Sequence, residues 1–324
     1  MSNTDLVALL PLIVVAVMGA VVMLAGAYGA RRVILHWLTI LGIGIALASI
    51  VSVRPLAPRD VTPLLRVDSY SILFMTLLFS GTGILAIISH PYLRARRCAG
   101  EAYYSLLLFA TFGMGVLVCS THFASLFLGL ETLTVSLYGL LAYLRTERQS
   151  LEAAIKYLIL AAMASGLLLF GIALLYAATG SLVLADVAAL SADAFTTAGS
   201  PEAIWAAVGV LMLIAGFAFK LALVPFHMWS PDVYQGAPVP VTALIATGSK
   251  GAVVAALLRL LSGVPADDAL LPSVLGALAV VTMFGGNLLA LLQTDMKRLL
   301  AYSSIAHIGY LFVAMAAGGV VGTE

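Results

Sequence analysis

Long apolar segments alternate with short polar connections along nearly the whole chain. An α-helix needs about 20 mainly apolar residues to cross the hydrocarbon core of a bilayer, and ten segments reach that length. The predicted helices cover residues 6–28, 33–53, 69–90, 103–120, 123–144, 153–178, 203–224, 240–262, 270–292 and 299–320. The pattern therefore predicts an all-α polytopic membrane protein, with residues 1–324 forming a single transmembrane domain in the lipid bilayer.

The seventh and eighth predicted helices are separated by a stretch rich in proline and aromatic residues, PFHMWSPDVYQGAPVP, which begins at Pro225. A proline removes a backbone donor and clashes with the carbonyl four residues earlier, so Pro225 predicts a break at the end of helix seven. Backbone without partners is tolerated at membrane depth only inside protein or beside a water-filled cavity. An ion path beside the break is one interpretation. A plain loop, with Trp229 and Tyr234 as interfacial anchors, is the other.

Three charged residues differ from the mainly interfacial charges of the chain: Glu131 inside helix five, Lys220 late in helix seven and Lys250 inside helix eight. Each costs about 2.5–3.5 kcal/mol at mid-membrane. Burial disfavours the charged form, so groups of this kind can take up and release protons, and we predict a proton relay through all three. A structural pair between Glu131 and Lys220 is the alternative, although it explains Lys250 less well. Glu152 and Lys156, four residues apart at the start of helix six, are expected to form an ordinary surface pair.

Two histidines occupy positions from which they could also relay protons. His307 lies within helix ten, four residues after Ser303, and His227 lies within the proline-rich break. Each could equally be a hydrogen-bonded residue of the core. Both therefore remain candidate relay residues beside the three buried charges.

The lysine and arginine residues of the connections are unevenly distributed. The first, third, fifth and ninth connections contain Arg31, Arg32, Arg94, Arg96, Arg97, Arg145, Arg148, Lys297 and Arg298, whereas the even-numbered ones contain only Arg54, Arg59, Arg66 and Arg259. Because cytoplasmic connections are enriched in these residues, the bias predicts that the N-terminus lies outside. The first apolar run is too long for a signal-peptide core and is interpreted as a retained helix.

The composition excludes several classes of function. The chain is 62% hydrophobic and only 10% charged, whereas a soluble domain carries about a quarter charged residues. A formal net charge of +1 gives no indication of a nucleic-acid partner. No phosphate-binding loop, haem ligand set, iron–sulfur pattern or metal-ligand spacing occurs, so we predict neither a cofactor nor a metal on this chain.

Four segments resemble the antiporter-like membrane subunits of respiratory complex I. They are FKLALVPFHMWSPDVYQGAPVPVTALIATGSK, LFLGLETLTVSLYGLLAY, SLEAAIKYLILAA and TDMKRLLAYSSIAHIGYLF. Two N-terminal segments, ALLPLIVV and DVTPLLRVDSY, are most similar to the branch of this family that holds subunit N of bacterial NADH–quinone oxidoreductase. The resemblance extends over essentially the whole chain.

The resemblance implies a fold of two inverted five-helix repeats. Residues 1–100 would form three N-terminal helices, residues 101–262 one complete repeat, and residues 263–324 the start of a second. The family's later lysine, in helix twelve, has no counterpart in this sequence, so we expect a fragment or a shortened form.

The resemblance also implies a function, a proton-translocating subunit of NADH–quinone oxidoreductase in the bacterial inner membrane. Glu131 and Lys220 would form a pair, and Lys250 would connect them to a central hydrophilic axis. Other membrane subunits would be the partners, and NADH, FMN, iron–sulfur clusters and quinone would be handled by those partners. A subunit of a multi-subunit sodium/proton antiporter or membrane-bound hydrogenase, and a non-transporting structural subunit, are the alternatives.

Overall fold

A computed structural model describes residues 2–96, 101–189, 200–264 and 270–317, and most of them are helical. The α-helices are α1 (Asn3–Ala8), α2 (Leu10–Ala27), α3 (Arg32–Val53), α4 (Ser69–Ala95), α5 (Glu101–Cys119), α6 (Phe123–Leu141), α7 (Arg148–Thr179), the described part of α8 (184–189), α9 (Pro201–Leu221), α10 (Trp229–Gly236), α11 (Val239–Leu244), α12 (Lys250–Leu261), α13 (Leu270–Ala290) and α14 (Met296–Ala317). Within the described residues, ten spans are long and apolar enough to cross a membrane. This confirms the predicted polytopic helical architecture.

The first predicted helix, residues 6–28, is two helices in the structure. The short helix α1 ends at Ala8, and α2 begins at Leu10 with Pro11 in its first turn, where proline is favoured because its missing N–H needs no partner. Uniformly apolar sequence hides such a boundary from a hydropathy pattern. At the other end of the chain, α14 is described to Ala317, and residues 318–320 of the last predicted helix lie outside the described residues.

A small antiparallel hairpin, which the apolar pattern did not predict, follows α3. Its strands are β1 (Arg59–Thr62) and β2 (Leu65–Val67). Arg59 forms an ion pair with Asp5, with 2.6 Å between Nη2 and Oδ1, which ties the hairpin to α1. The backbone N–H of Ser2 and the Arg59 guanidinium together lower the pKa of Asp5 to about 2.

The described residues group into two compact units. The first contains residues 1–154 and 238–256, and helices α2 to α6 form most of it. Small residues allow α5 and α6 to approach closely, since a Cβ atom added to Gly113 would lie only 2.8 Å from the carbonyl oxygen of Gly129. Such glycine contacts are typical of helices that pack in lipid.

The second unit contains residues 155–237 and 257–324. In this unit α13 packs against α14, where a Cβ atom on Gly286 would lie 2.8 Å from the Ala306 nitrogen. The short helix α10 also packs against α14. The predicted five-helix repeat at residues 101–262, with its neighbours 1–100 and 263–324, stays a prediction.

Candidate functional site

Lys220 lies in the last turn of α9, and only 6% of it is exposed, so the predicted burial of this lysine is confirmed. The helix ends at Leu221 because Ala222 adopts a left-handed conformation with φ 60°. The N–H of Leu223 then returns to the carbonyl of Ala218 at 2.8 Å, a common way for helices to end. The predicted helix 203–224, broken at Pro225, is therefore shorter at this end than expected. The chain leaves the helix before the proline is reached.

The backbone of the break is held by side chains of its own unit. The indole N–H of Trp229 donates to the carbonyl oxygen of Phe219 at 2.9 Å, and the two rings are stacked at 5.3 Å. The N–H of Val224 donates to Oγ1 of Thr282 on α13 at 3.2 Å. The indole thus adds a hydrogen bond to a carbonyl in the last turn of α9, and Thr282 satisfies a backbone donor of the connection that follows the helix.

Lys250 follows directly after a π-helical turn, Ile245–Ser249, which divides the predicted helix 240–262 into α11 and α12. Only 2% of Lys250 is exposed, which confirms its predicted burial. The turn packs closely on α5, since a Cβ atom on Gly248 would lie 3.0 Å from Sδ of Met114. Single π turns within α-helices are frequent at functional sites. The apolar pattern of the helix contains no sign of this one.

Glu131 lies in the middle of α6, as predicted, but its side chain is partly exposed and not fully enclosed by the described residues. It interacts electrostatically with Tyr138, two turns further along the same helix. The sequence interpretation did not identify this tyrosine, although a spacing of seven residues places it on the same face.

The two candidate histidines have different surroundings. His227, between α9 and α10, is 7% exposed, and neither ring nitrogen has a partner with hydrogen-bond geometry among the described residues. Burial lowers the pKa of His227 below its ordinary value, so the neutral imidazole is favoured. His307 lies on α14 as predicted, but its side chain is exposed and 5.9 Å from the Tyr310 ring. A relay role for His307 stays a prediction without support from its burial.

The candidate relay residues are divided between the two compact units. Glu131 and Lys250 belong to the first, and Lys220, His227 and His307 belong to the second. Each unit thus contains one deeply buried amine. Within the described ranges, no cluster of three or more histidine, cysteine, aspartate or glutamate side chains could hold a metal ion.

A charged cluster around Asp232 was missed by the sequence interpretation. Its carboxylate accepts from Nζ of Lys156 at 2.8 Å and from Nη1 of Arg298 at 2.7 Å. Burial raises the pKa of Asp232, but these two hydrogen bonds outweigh it, and the pKa lies below its ordinary value. Lys156 was expected to form a surface pair with Glu152. Its contact with Asp232, on a distant segment, could not be read from helical spacing.

Comparison with known proteins identifies relatives that match nearly the whole chain. The sequence model of the family described as "NADH:quinone oxidoreductase/Mrp antiporter, TM" matches residues 120–324. NADH-quinone oxidoreductase subunit N of Chromohalobacter salexigens is 48% identical over 312 residues, which are 96% of this chain and 64% of that protein. The chain thus spans just under two thirds of the length of this curated relative.

Three solved assemblies contain chains of similar structure. A chain of respiratory complex I from Thermus thermophilus is 36% identical with a TM-score of 0.79, and the match covers 96% of this chain and 66% of that one. A chain of the membrane-bound sulfane sulfur reductase, an archaeal respiratory complex, is 25% identical with a TM-score of 0.78 over 96% of this chain and 65% of that one. A chain of the Mrp complex from Dietzia sp. is 23% identical with a TM-score of 0.84 over 99% and 60%, a likeness in fold alone.

Proposed function

The chain belongs to the NADH:quinone oxidoreductase/Mrp antiporter family of membrane subunits, and from this premise we propose that it is a proton-translocating subunit of a bacterial NADH–quinone oxidoreductase. It lies in the inner membrane with its N-terminus outside and relays protons while other subunits reduce quinone. The identity of 48% to a subunit N supports this choice. NADH, FMN, iron–sulfur clusters and quinone belong to the partner subunits in this proposal.

The burial of two amines in an apolar protein is the observation that carries the proposal. Lys220 and Lys250 are 6% and 2% exposed, and an amine removed from water has a proton affinity that depends strongly on the charges around it. A small change in the surroundings can then change the proton affinity by a large factor. Moving one proton against 100 mV takes about 2.3 kcal/mol, and a change of three pKa units corresponds to about 4 kcal/mol.

The geometry around each lysine gives it a means of responding. Lys220 lies at the C-terminal end of α9, where the helix dipole favours a cation. Lys250 lies beside the π turn, an irregular part of the helix of a kind that is frequent at functional sites. In the proposed relay, Glu131 sets the charge to which Lys220 responds, and the proton then passes toward Lys250. His227 and His307 are additional candidate carriers in this proposal. The break before Pro225 gives Lys220 its place at a helix end.

Substitution of each lysine in the assembled enzyme tests the proposal. Inverted membrane vesicles carrying Lys220→Ala or Lys250→Ala are expected to show much reduced NADH-driven proton uptake. Arg66→Ala is the matched control, since it removes a cation from the half-exposed hairpin. The amount of intact complex is measured in each sample to correct for assembly. Undiminished proton uptake and quinone reduction in both lysine variants would overturn the proposal.

A second candidate is a subunit of a multi-subunit sodium/proton antiporter or a membrane-bound hydrogenase. The description of the matching family, which joins NADH:quinone oxidoreductase with the Mrp antiporter, is the observation that favours it. Purification of the complex separates the two, because an antiporter would exchange sodium for protons without NADH. A structural subunit would instead lose assembly in Glu131→Gln or Lys220→Met, and any complex that did assemble would keep full proton uptake.

A further inference from the structure

Asp232 connects the short helix α10 to two neighbouring helices at once. Its carboxylate oxygens accept separate hydrogen bonds, Oδ2 from Lys156 on α7 at 2.8 Å and Oδ1 from Arg298 on α14 at 2.7 Å. Arg298 Nη1 also lies 3.3 Å from Oε1 of Gln235, one turn further along α10. One carboxylate therefore fixes α10 from two directions, which a simple surface ion pair does not do.

The C-terminal end of α10 is fixed as well. Nζ of Lys297 donates to the carbonyl oxygens of Gln235 at 3.1 Å and Ala237 at 2.9 Å. A cation in this position complements the carbonyl groups that end a helix. The eight residues of α10 are thus held along their whole length by charged side chains of α7 and α14.

The N-terminal end of α10 contacts the residue that precedes Lys220. Trp229 is the first residue of α10 and precedes Asp232 by one turn. Its indole N–H donates to the carbonyl of Phe219, the residue before Lys220, at 2.9 Å. The ring of Tyr157, the residue after Lys156 on α7, also packs against the indole, with 5.1 Å between the ring centroids. The same segment of α7 therefore supports both residues of α10.

From this chain of contacts we propose that Asp232 is a positioning residue for Lys220. With Lys156 and Arg298 it holds α10 so that Trp229 keeps the end of α9, and Lys220 with it, in the buried position. The inference rests on the proposed relay role of Lys220 for its functional consequence, whereas its structural content concerns only how α10 holds the end of α9. The pairs themselves are partly exposed, at 35% for Asp232 and 43% for Lys156, so their effect lies in orientation more than in stability.

A labelling experiment tests the structural content without reference to proton transport. Lys220→Cys is introduced into the assembled complex, and its reaction with a membrane-permeant maleimide is followed by mass spectrometry of this chain's peptide. We expect slow labelling in the parent and labelling several-fold faster when Asp232→Asn is added. Asp232→Glu is expected to restore slow labelling, because it keeps the charge. Asp186→Asn is the matched control, since this carboxylate is exposed and bonds the nearby Ser181 hydroxyl. Equal labelling rates in all backgrounds would overturn the inference.

A double-mutant cycle then tests the route through Trp229. Proton uptake per NADH oxidised is measured for Asp232→Asn, for Trp229→Phe, which keeps the stacked ring but loses the N–H, and for both together. If Asp232 acts through Trp229, each single variant lowers uptake several-fold and the double variant is no worse than the lower one. Multiplied effects, or full uptake in Asp232→Asn, would overturn the inference. Full uptake in Lys220→Ala would instead contradict the proposed relay and leave the labelling result to stand alone.

Discussion

Oγ1 of Thr282 accepts the backbone N–H of Val224 at 3.2 Å, so a side chain of α13 satisfies a backbone donor in the connection that follows α9. Thr282 is itself fully buried. A threonine in an otherwise apolar helix usually bonds the carbonyl of its own preceding turn. At this position it serves another segment, the break that follows Lys220.

Replacement of this threonine should weaken the break selectively. Thr282→Val keeps the shape but removes the acceptor, and we expect a loss of about 1 kcal/mol in the free energy of unfolding. Thr247→Val is the control, because the exposed Thr247 hydroxyl donates to the carbonyl of Ala243 in its own helix segment. The midpoint of heat denaturation of the detergent-solubilised complex measures both. A larger loss in Thr247→Val would contradict this interpretation.

Lys250→Met is expected to separate function from stability. Lys250 is 2% exposed, and insertion of a lysine at mid-membrane costs about 2.5–3.5 kcal/mol. Methionine has a similar length without the charge, so the variant should denature at the same temperature as the parent or above it. Proton uptake in vesicles should nevertheless be lost. A destabilised complex with full proton uptake would show that the lysine has a structural role only.

The close contact of α5 with α6 predicts a strong effect of one methyl group. A Cβ atom at position 113 would lie 2.7 Å from the backbone nitrogen of Leu133, and backbone cannot move aside as a side chain can. Gly113→Ala should therefore cost about 1–3 kcal/mol. Gly44→Ala is the control, since a Cβ atom there meets nothing within 4 Å. The fraction of complex that survives heating measures the difference, and equal survival would contradict the close approach.

His227 predicts a dependence of stability on pH. Burial lowers the pKa of this histidine in the folded protein, so the unfolded chain binds a proton more readily. Stability should then be constant above the ordinary histidine pKa of about 6.5 and fall as the pH decreases below it, by at most about 1.4 kcal/mol per pH unit. Heat denaturation between pH 5 and pH 8 measures how stability depends on pH in the parent and in His227→Asn. A flatter dependence is expected for the variant. The same pH dependence in both proteins would contradict the assignment of this effect to His227.

The hydropathy pattern predicted the spans correctly because the bilayer sets helix length. It also predicted that Lys220 and Lys250 would be buried, because no polar surface could surround a lysine placed so far inside an apolar run. The motif resemblance to antiporter-like subunits is confirmed by the family match over residues 120–324. These features depend on residues that are neighbours in sequence.

Other features depend on contacts that a one-dimensional pattern does not contain. The partners of Asp232 lie on α7 and α14, far from it in sequence. The face on which His307 lies follows from how α14 packs, and its position within the helix alone did not determine that it is exposed. The boundary between α1 and α2 and the end of α9 at Ala222 depend on backbone conformation, to which hydropathy is insensitive.

The π turn before Lys250 also fixes the direction in which that amine points. Each residue of an α-helix rotates the next side chain by about 100°, and a π turn accommodates a surplus residue within the helix. If residues 245–249 were regular α-helix, everything from Lys250 onward would be turned about a quarter of the way around the helix axis. The direction in which the Lys250 side chain points is thus set by the location of one surplus backbone residue. A change that moved this residue along the helix would re-aim Lys250 without altering any side chain around it.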